Sequence, residues 1–73
     1  MKKTITDNDY KVFIKRLKKA RVEAGLTQVQ AAQKLEATQA YISKVEKGQL
    51  RVDVSQLKEF AVIYRKSINY FIK

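Results

Sequence analysis

The sequence predicts an all-α fold, a compact arrangement of five short helices. Three observations carry this expectation. Proline is absent and only Gly25 and Gly48 interrupt the backbone freely. Apolar residues recur at spacings of three and four, whereas strict alternation is rare. Each apolar stretch follows a Thr, Asp or Ser able to cap a helix.

The first helix is expected to start near Thr6, with Asp9 at the capping-box position. Tyr10, Phe13, Leu17, Ala20 and Ala24 then form its apolar stripe, while Lys11, Lys15, Lys18 and Lys19 point elsewhere. Gly25 ends it, because a left-handed residue costs least when it is glycine. The second helix starts at Thr27, with Gln30 three residues on, and turns Ala31, Ala32 and Leu35 inward. Two adjacent alanines let a neighbouring helix approach closely. It ends at Leu35 or Glu36. Thr38 caps the third helix; Ile42 and Val45 face inward, Ala37 enters just before, and Gly48 ends it. Gln49 to Val52 form a loop. Asp53 caps the fourth helix, with Gln56 in the box position, and Leu57, Phe60, Ala61 and Tyr64 form its stripe, with Val54 at its start. Arg65-Lys66 close this helix at its negative dipole end. Ser67 caps a fifth helix through Ile68, Phe71 and Ile72. The expected organisation is a loose basic arm over residues 1–5 and a single domain over residues 6–73.

Composition narrows the chemistry. With 73 residues the chain holds one domain and one modest core. It has no cysteine and no histidine, so disulfides, thiolate metal sites, haem, zinc and His-based acid/base catalysis lack their groups. No metal, no cofactor and no enzymatic activity are expected: there is no nucleophile–base pair and no phosphate loop. No apolar run approaches the roughly 20 residues of a membrane span. The basic Met1-Lys2-Lys3 start is followed by no apolar stretch or cleavage site, so a signal peptide is not expected and a cytoplasmic location is. Sixteen Lys and Arg against seven Asp and Glu give a formal net charge of +9. That excess favours a polyanion, chiefly nucleic acid, over an anionic membrane surface or mere solubility.

The second and third helices, from Leu26 to Gly48, are joined by a very short turn. The third leaves Gln39, Ala40, Ser43, Lys44 and Lys47 on its free face. Small, amide and basic side chains are those that read a DNA major groove. Ala40 can contact a thymine methyl or simply leave room for the backbone. Lys44 can reach guanine O6/N7, a phosphate or solvent. Tyr41 can donate its hydroxyl to a phosphate, cover the core edge with its ring, or do both. Lys47, Gln49 and Arg51 flank the end of the third helix as phosphate contacts, and the first-helix lysines with the Met1-Lys2-Lys3 arm add a general field; for each single lysine the alternative is an idle, solvated side chain.

The chain from about Phe13 to Phe71 resembles the Xre/Cro-like helix-turn-helix family of phage repressors and bacterial regulators. The likeness lies in Gly25-Leu26-Thr27-Gln28, in Ala32-Gln33-Lys34-Leu35, and in Tyr41-Ile42-Ser43-Lys44-Val45-Glu46-Lys47-Gly48. It continues through Leu57, Phe60-Ala61, Ser67-Ile68 and Phe71. The resemblance implies a five-helix, repressor-like DNA-binding domain with the helix-turn-helix at helices two and three. The third helix, Thr38 to Lys47, would then lie in the major groove. It puts Gln39 on a base, where an amide pairs bidentately with adenine. It adds Ala40, Ser43 and Lys44 as base readers, and Gln28 and Thr38 as phosphate contacts, with Gln28 also bracing Gln39. It further implies a partly buried ion pair between Arg21 and Glu46, which assigns Glu46 to the fold. Three residues depart from the family pattern. Glu36 stands where glycine is common in the turn and would need a positive φ, at about 1 kcal/mol. Val52 replaces a common proline, and Arg65 or Lys66 a common glycine.

The function implied is a sequence-specific, double-stranded-DNA-binding transcriptional regulator, a repressor acting as a homodimer on a near-palindromic operator. The dimer surface is expected at the end of the fourth and fifth helices, on Tyr64, Tyr70 and Ile72, with Val62 beside them; the alternative is that three of these are ordinary core. The alternatives are an antitoxin, whose main partner is a protein, and a controller of a restriction–modification operon.

Overall fold

A computed structural model describes residues 7–72 of the chain. The expected cap at Thr6, the basic arm of residues 1–5 and Lys73 lie outside the described residues. Five helices occur in order: α1 (Asp7–Glu23), α2 (Gln28–Leu35), α3 (Gln39–Glu46), α4 (Val54–Tyr64) and α5 (Ile68–Ile72). Among the described residues there is no strand, and no helix is long and apolar enough to cross a membrane.

Helix starts follow the local capping chemistry. The Thr27 hydroxyl accepts from the Gln30 N–H at 3.1 Å, and the Gln30 side-chain carbonyl accepts from the Thr27 N–H at 2.9 Å. Asp53 and Gln56 repeat this reciprocal pair at 2.8 and 2.9 Å. Thr38 accepts from the Tyr41 N–H at 3.1 Å. Each cap satisfies backbone donors that the first helical turn cannot use.

Helix ends share one solution. After α1, α2, α3 and α4 a left-handed residue closes the last turn: Gly25, Glu36, Gly48 and Arg65. The next N–H reaches back across it, from Leu26 to Arg21, Ala37 to Ala32, Gln49 to Lys44 and Lys66 to Ala61, at 2.8–3.1 Å. Glycine adopts this conformation at little cost, with φ of 77° at both Gly25 and Gly48. Glu36 (φ 57°) and Arg65 (φ 59°) adopt it with a side chain attached, at roughly 1–2 kcal/mol each.

The core lies where α1 crosses α3, α4 and α5, and where α2 packs on α3 and α4. Leu17, Ile42, Val45, Phe60, Tyr64 and Phe71 are fully enclosed. Burying side chains of this size stabilises by roughly 1.5–3 kcal/mol each. Ala20, Ala31 and Ala32 let the helices approach without filling the space with side chain.

Two placements correct the periodicity reading, and a third corrects the expected dimer surface. Ile14 is buried on α1 although the expected stripe passed over it. Val54, expected at the start of the α4 stripe, is 70% exposed at the edge of a cleft it shares with Val12 and Ile72. Tyr64, expected on the dimer surface, is only 1% exposed and packs its ring 5.6 Å from that of Phe60. Tyr64 shares the α4 face of Phe60 and Ala61, and that face is the inner one.

Candidate nucleic-acid interface

The free face of α3 is small, polar and basic. Gln39, Ala40 and Lys44 are exposed and Ser43 is half-buried beside them. Ile42 and Val45, on the opposite side of the same two turns, hold α3 onto the core. The 3.6-residue period therefore separates the two sets: what anchors the helix is turned away from what it presents.

A chain of polar contacts stands behind this face. The Arg21 guanidinium donates through Nε to Glu46 Oε2 at 2.7 Å and through Nη2 to Glu46 Oε1 at 3.2 Å. Arg21 also donates through Nη1 to the Leu26 carbonyl at 2.8 Å, which ties the pair to the α1–α2 turn. The two side chains are 10% and 5% exposed. The hydrogen-bonded Glu46 carboxylate raises the Arg21 pKa, against burial, which lowers it. A pair this enclosed adds little net stability, but removing one partner strands the other charge.

Glu46 then fixes Gln28, which in turn fixes Gln39. A carboxylate only accepts, so Gln28 turns its amide nitrogen to Glu46 Oε1, at 3.0 Å. Its carbonyl oxygen consequently faces Gln39, whose Nε2 donates to it at 2.7 Å. Gln39 is left with its own carbonyl oxygen and its second amide N–H at the exposed end of the chain. The bracing of Gln39 by Gln28 matches the implied pattern. The link from Gln28 to Glu46 joins residues 18 apart in sequence and had no sequence signal of its own.

The residues expected to touch phosphates fall into three groups. Gln28 and Thr38 sit at the starts of α2 and α3. The Thr38 oxygen is taken by its cap, but its hydroxyl hydrogen remains available to an acceptor. Tyr41 lays its ring parallel to Phe60, with centroids 6.3 Å apart, and so covers the core edge between α3 and α4. Burial raises its pKa, with the Asp53 and Glu59 carboxylates as further causes, so its hydroxyl stays protonated. Lys47, Gln49 and Arg51 are exposed around the α3–α4 connection.

That connection is held by a residue expected only as core. The Tyr10 hydroxyl accepts from the Val52 N–H at 3.2 Å and donates to the Leu50 carbonyl at 3.4 Å. The Arg51 guanidinium lies 4.1 Å from the centre of the Tyr10 ring. Tyr10 thus sets both the loop backbone and the Arg51 side chain.

The residues expected at a dimer surface do not form one patch. Tyr64 is core, and Tyr70 is half-buried, packed edge-on to Phe71 at 5.2 Å with the Lys66 ammonium 4.6 Å from its ring centre. Ile72 is 63% exposed at an apolar cleft of about 550 Å³ that Val12, Phe13, Val54 and Leu57 also line. Val62 is 76% exposed on another side of α4, beside Leu35 and Ile63.

Among the described residues no cluster of carboxylates, histidines or cysteines could hold a metal ion. Residues 17–71, about three quarters of the chain, match the helix-turn-helix family. Neither a curated protein nor a solved structure matches the chain.

Proposed function

The chain belongs to this helix-turn-helix family, the Xre/Cro-like group of DNA-binding regulators, and from that premise we propose that it is a sequence-specific repressor acting as a dimer on a near-palindromic operator. In this reading α3 enters the major groove with Gln39, Ala40, Ser43 and Lys44 toward the bases. Gln28 and Thr38 meet phosphates through the N-terminal turns of α2 and α3, where free backbone N–H groups add to the attraction. Lys47, Gln49 and Arg51 hold the backbone beyond the other end of α3.

The observation that carries this reading is the direction of the polar chain. It leaves Gln39 with one acceptor and one donor, the complement of adenine's N6 amino group and N7. Had the chain run the other way, one lone pair of the Gln39 carbonyl oxygen would have been spent on the Gln28 amide. Selection of bound sequences from random duplex DNA tests the proposal; a half-site with an adenine dependent on Gln39 is the expected result. Gln39→Ala should weaken that site by about 1–3 kcal/mol and relax one base position, with little change on random DNA. Equal loss on both would assign Gln39 to the phosphates instead.

The dimer is supported by the exposed apolar row of Val12, Val54 and Ile72 along one cleft. One domain of this size spans a short half-site, so a second copy is needed to read a longer one. Sedimentation with and without a palindromic duplex tests it. A strict monomer on such a duplex would remove the dimer and leave the base-reading face untouched.

A further inference from the structure

We propose that the cleft between the N-terminal half of α1 and the α3–α4 connection seats a backbone phosphate of duplex DNA outside the segment read by α3, with Lys11 and Lys15 as its α1 ligands. The inference rests on the DNA-binding reading above and extends it to a helix outside the helix-turn-helix. The cleft has a volume of about 440 Å³, and Lys11, Ile14 and Lys15 of α1 line it opposite Lys47, Gly48 and Arg51. Four cations from two distant stretches of sequence therefore surround one hollow.

Their surroundings leave them available. Lys11, Lys15 and Lys47 have no ion-pair partner among the described residues, in contrast to Lys66, which pairs with Glu23 at 2.8 Å. The carboxylate bordering the cleft is that of Glu46, and both of its oxygens are already engaged by Arg21 and Gln28. Arg51 is oriented by the Tyr10 ring, and the loop that carries it is bonded to the Tyr10 hydroxyl. Like charges gathered around a hollow repel one another, and a phosphodiester seated among them relieves that repulsion while its condensed counterions are released. The cleft adjoins the C-terminal end of α3, so a duplex engaged by α3 has its backbone within reach of this face.

The ligand chemistry is a phosphodiester, and its recognition carries no base preference. The double variant Lys11→Gln/Lys15→Gln keeps two exposed helical positions and removes two charges. Its control, Lys34→Gln/Lys58→Gln, removes the same charge from a separate α2–α4 cleft. Binding of each protein to one random-sequence duplex is measured across a salt titration, with circular dichroism to verify equal helicity. The cleft variant should lose about tenfold or more in affinity at 0.1 M salt and lower the salt slope by one to two, while the control changes little. Equal losses in the two variants would reduce Lys11 and Lys15 to a general field and overturn the proposal, as would no loss in either. A parent protein that binds duplex DNA without salt dependence, or not at all, would overturn the DNA-binding reading itself and this cleft with it.

Discussion

The α2–α3 corner and the α4–α5 corner are built on the same backbone. Each ends a helix on a left-handed residue that is not glycine, Glu36 or Arg65, and each closes with the same pair of back-bonded amides. The helices they lead into have different tasks. Beyond Glu36, α3 sends Ile42 and Val45 inward and presents a polar face whose leading amide is aimed by Gln28, Glu46 and Arg21. Beyond Arg65, α5 sends Phe71 between α1 and α4 and leaves Ile72 outside. The corner geometry is generic, and the residues after it decide whether the segment closes the core or orients a surface.

Breaking each corner at its anchor gives the largest expected effect. Phe71→Ala and Glu46→Ala should each destabilise by about 3–5 kcal/mol, the first by opening a cavity and the second by stranding the buried Arg21 charge. Urea unfolding measures both. The corners should then part company in DNA binding under conditions where both variants remain folded. Phe71→Ala should keep its preference for a selected site over random DNA, whereas Glu46→Ala should lose part of it because Gln28, released from Glu46, no longer fixes the direction of the Gln39 amide. Equal loss of preference would sink the division of tasks.

A middle-sized effect tests what the two corners share. Glu36→Gly and Arg65→Gly should each stabilise by up to about 1 kcal/mol, since glycine relieves the left-handed strain at some cost in unfolded-chain entropy. The two gains should add, because the sites have no common partner. Thermal unfolding of the single and double variants is the measurement. A loss at either site would show that its side chain makes a contact worth more than the strain.

The smallest effect concerns Tyr64, between the corners. Its buried hydroxyl has no hydrogen-bond partner among the described residues, and burial pushes its pKa far above the ordinary tyrosine value. Tyr64→Phe should therefore cost little or no stability near neutral pH. The sign at alkaline pH comes from proton counting. Above about pH 10 the unfolded tyrosine releases a proton that the folded one retains, so this contribution is intact below that pH and declines as pH rises. Tyr64→Phe should flatten part of the alkaline decline. An unchanged profile would locate it in other groups.

Much of the α2–α3 surface was legible because its signals are local. A cap and its box partner lie three residues apart, as at Thr27 and Gln30, and an inner face recurs within two turns, as at Ile42 and Val45. Tyr64 shows the limit of such reading: periodicity put it on the α4 stripe, but only packing shows that the stripe is covered as far as its last residue. Tyr10 shows another. Its hydroxyl holds a loop 40 residues away, and nothing in either stretch announces the other.

By itself the sequence determined the five helices, the caps at Thr27, Thr38 and Asp53, the glycine closures at Gly25 and Gly48, the polar face of α3 and the excess of positive charge, because each depends on neighbours within a few residues or on composition alone. The tertiary structure decided which way the Gln28 and Gln39 amides point, that Tyr64 is core, and that Lys11 and Lys15 share a cleft with Lys47 and Arg51. Those outcomes depend on which distant side chains arrive together, and that is fixed only when α1, α3 and α4 close on a common core.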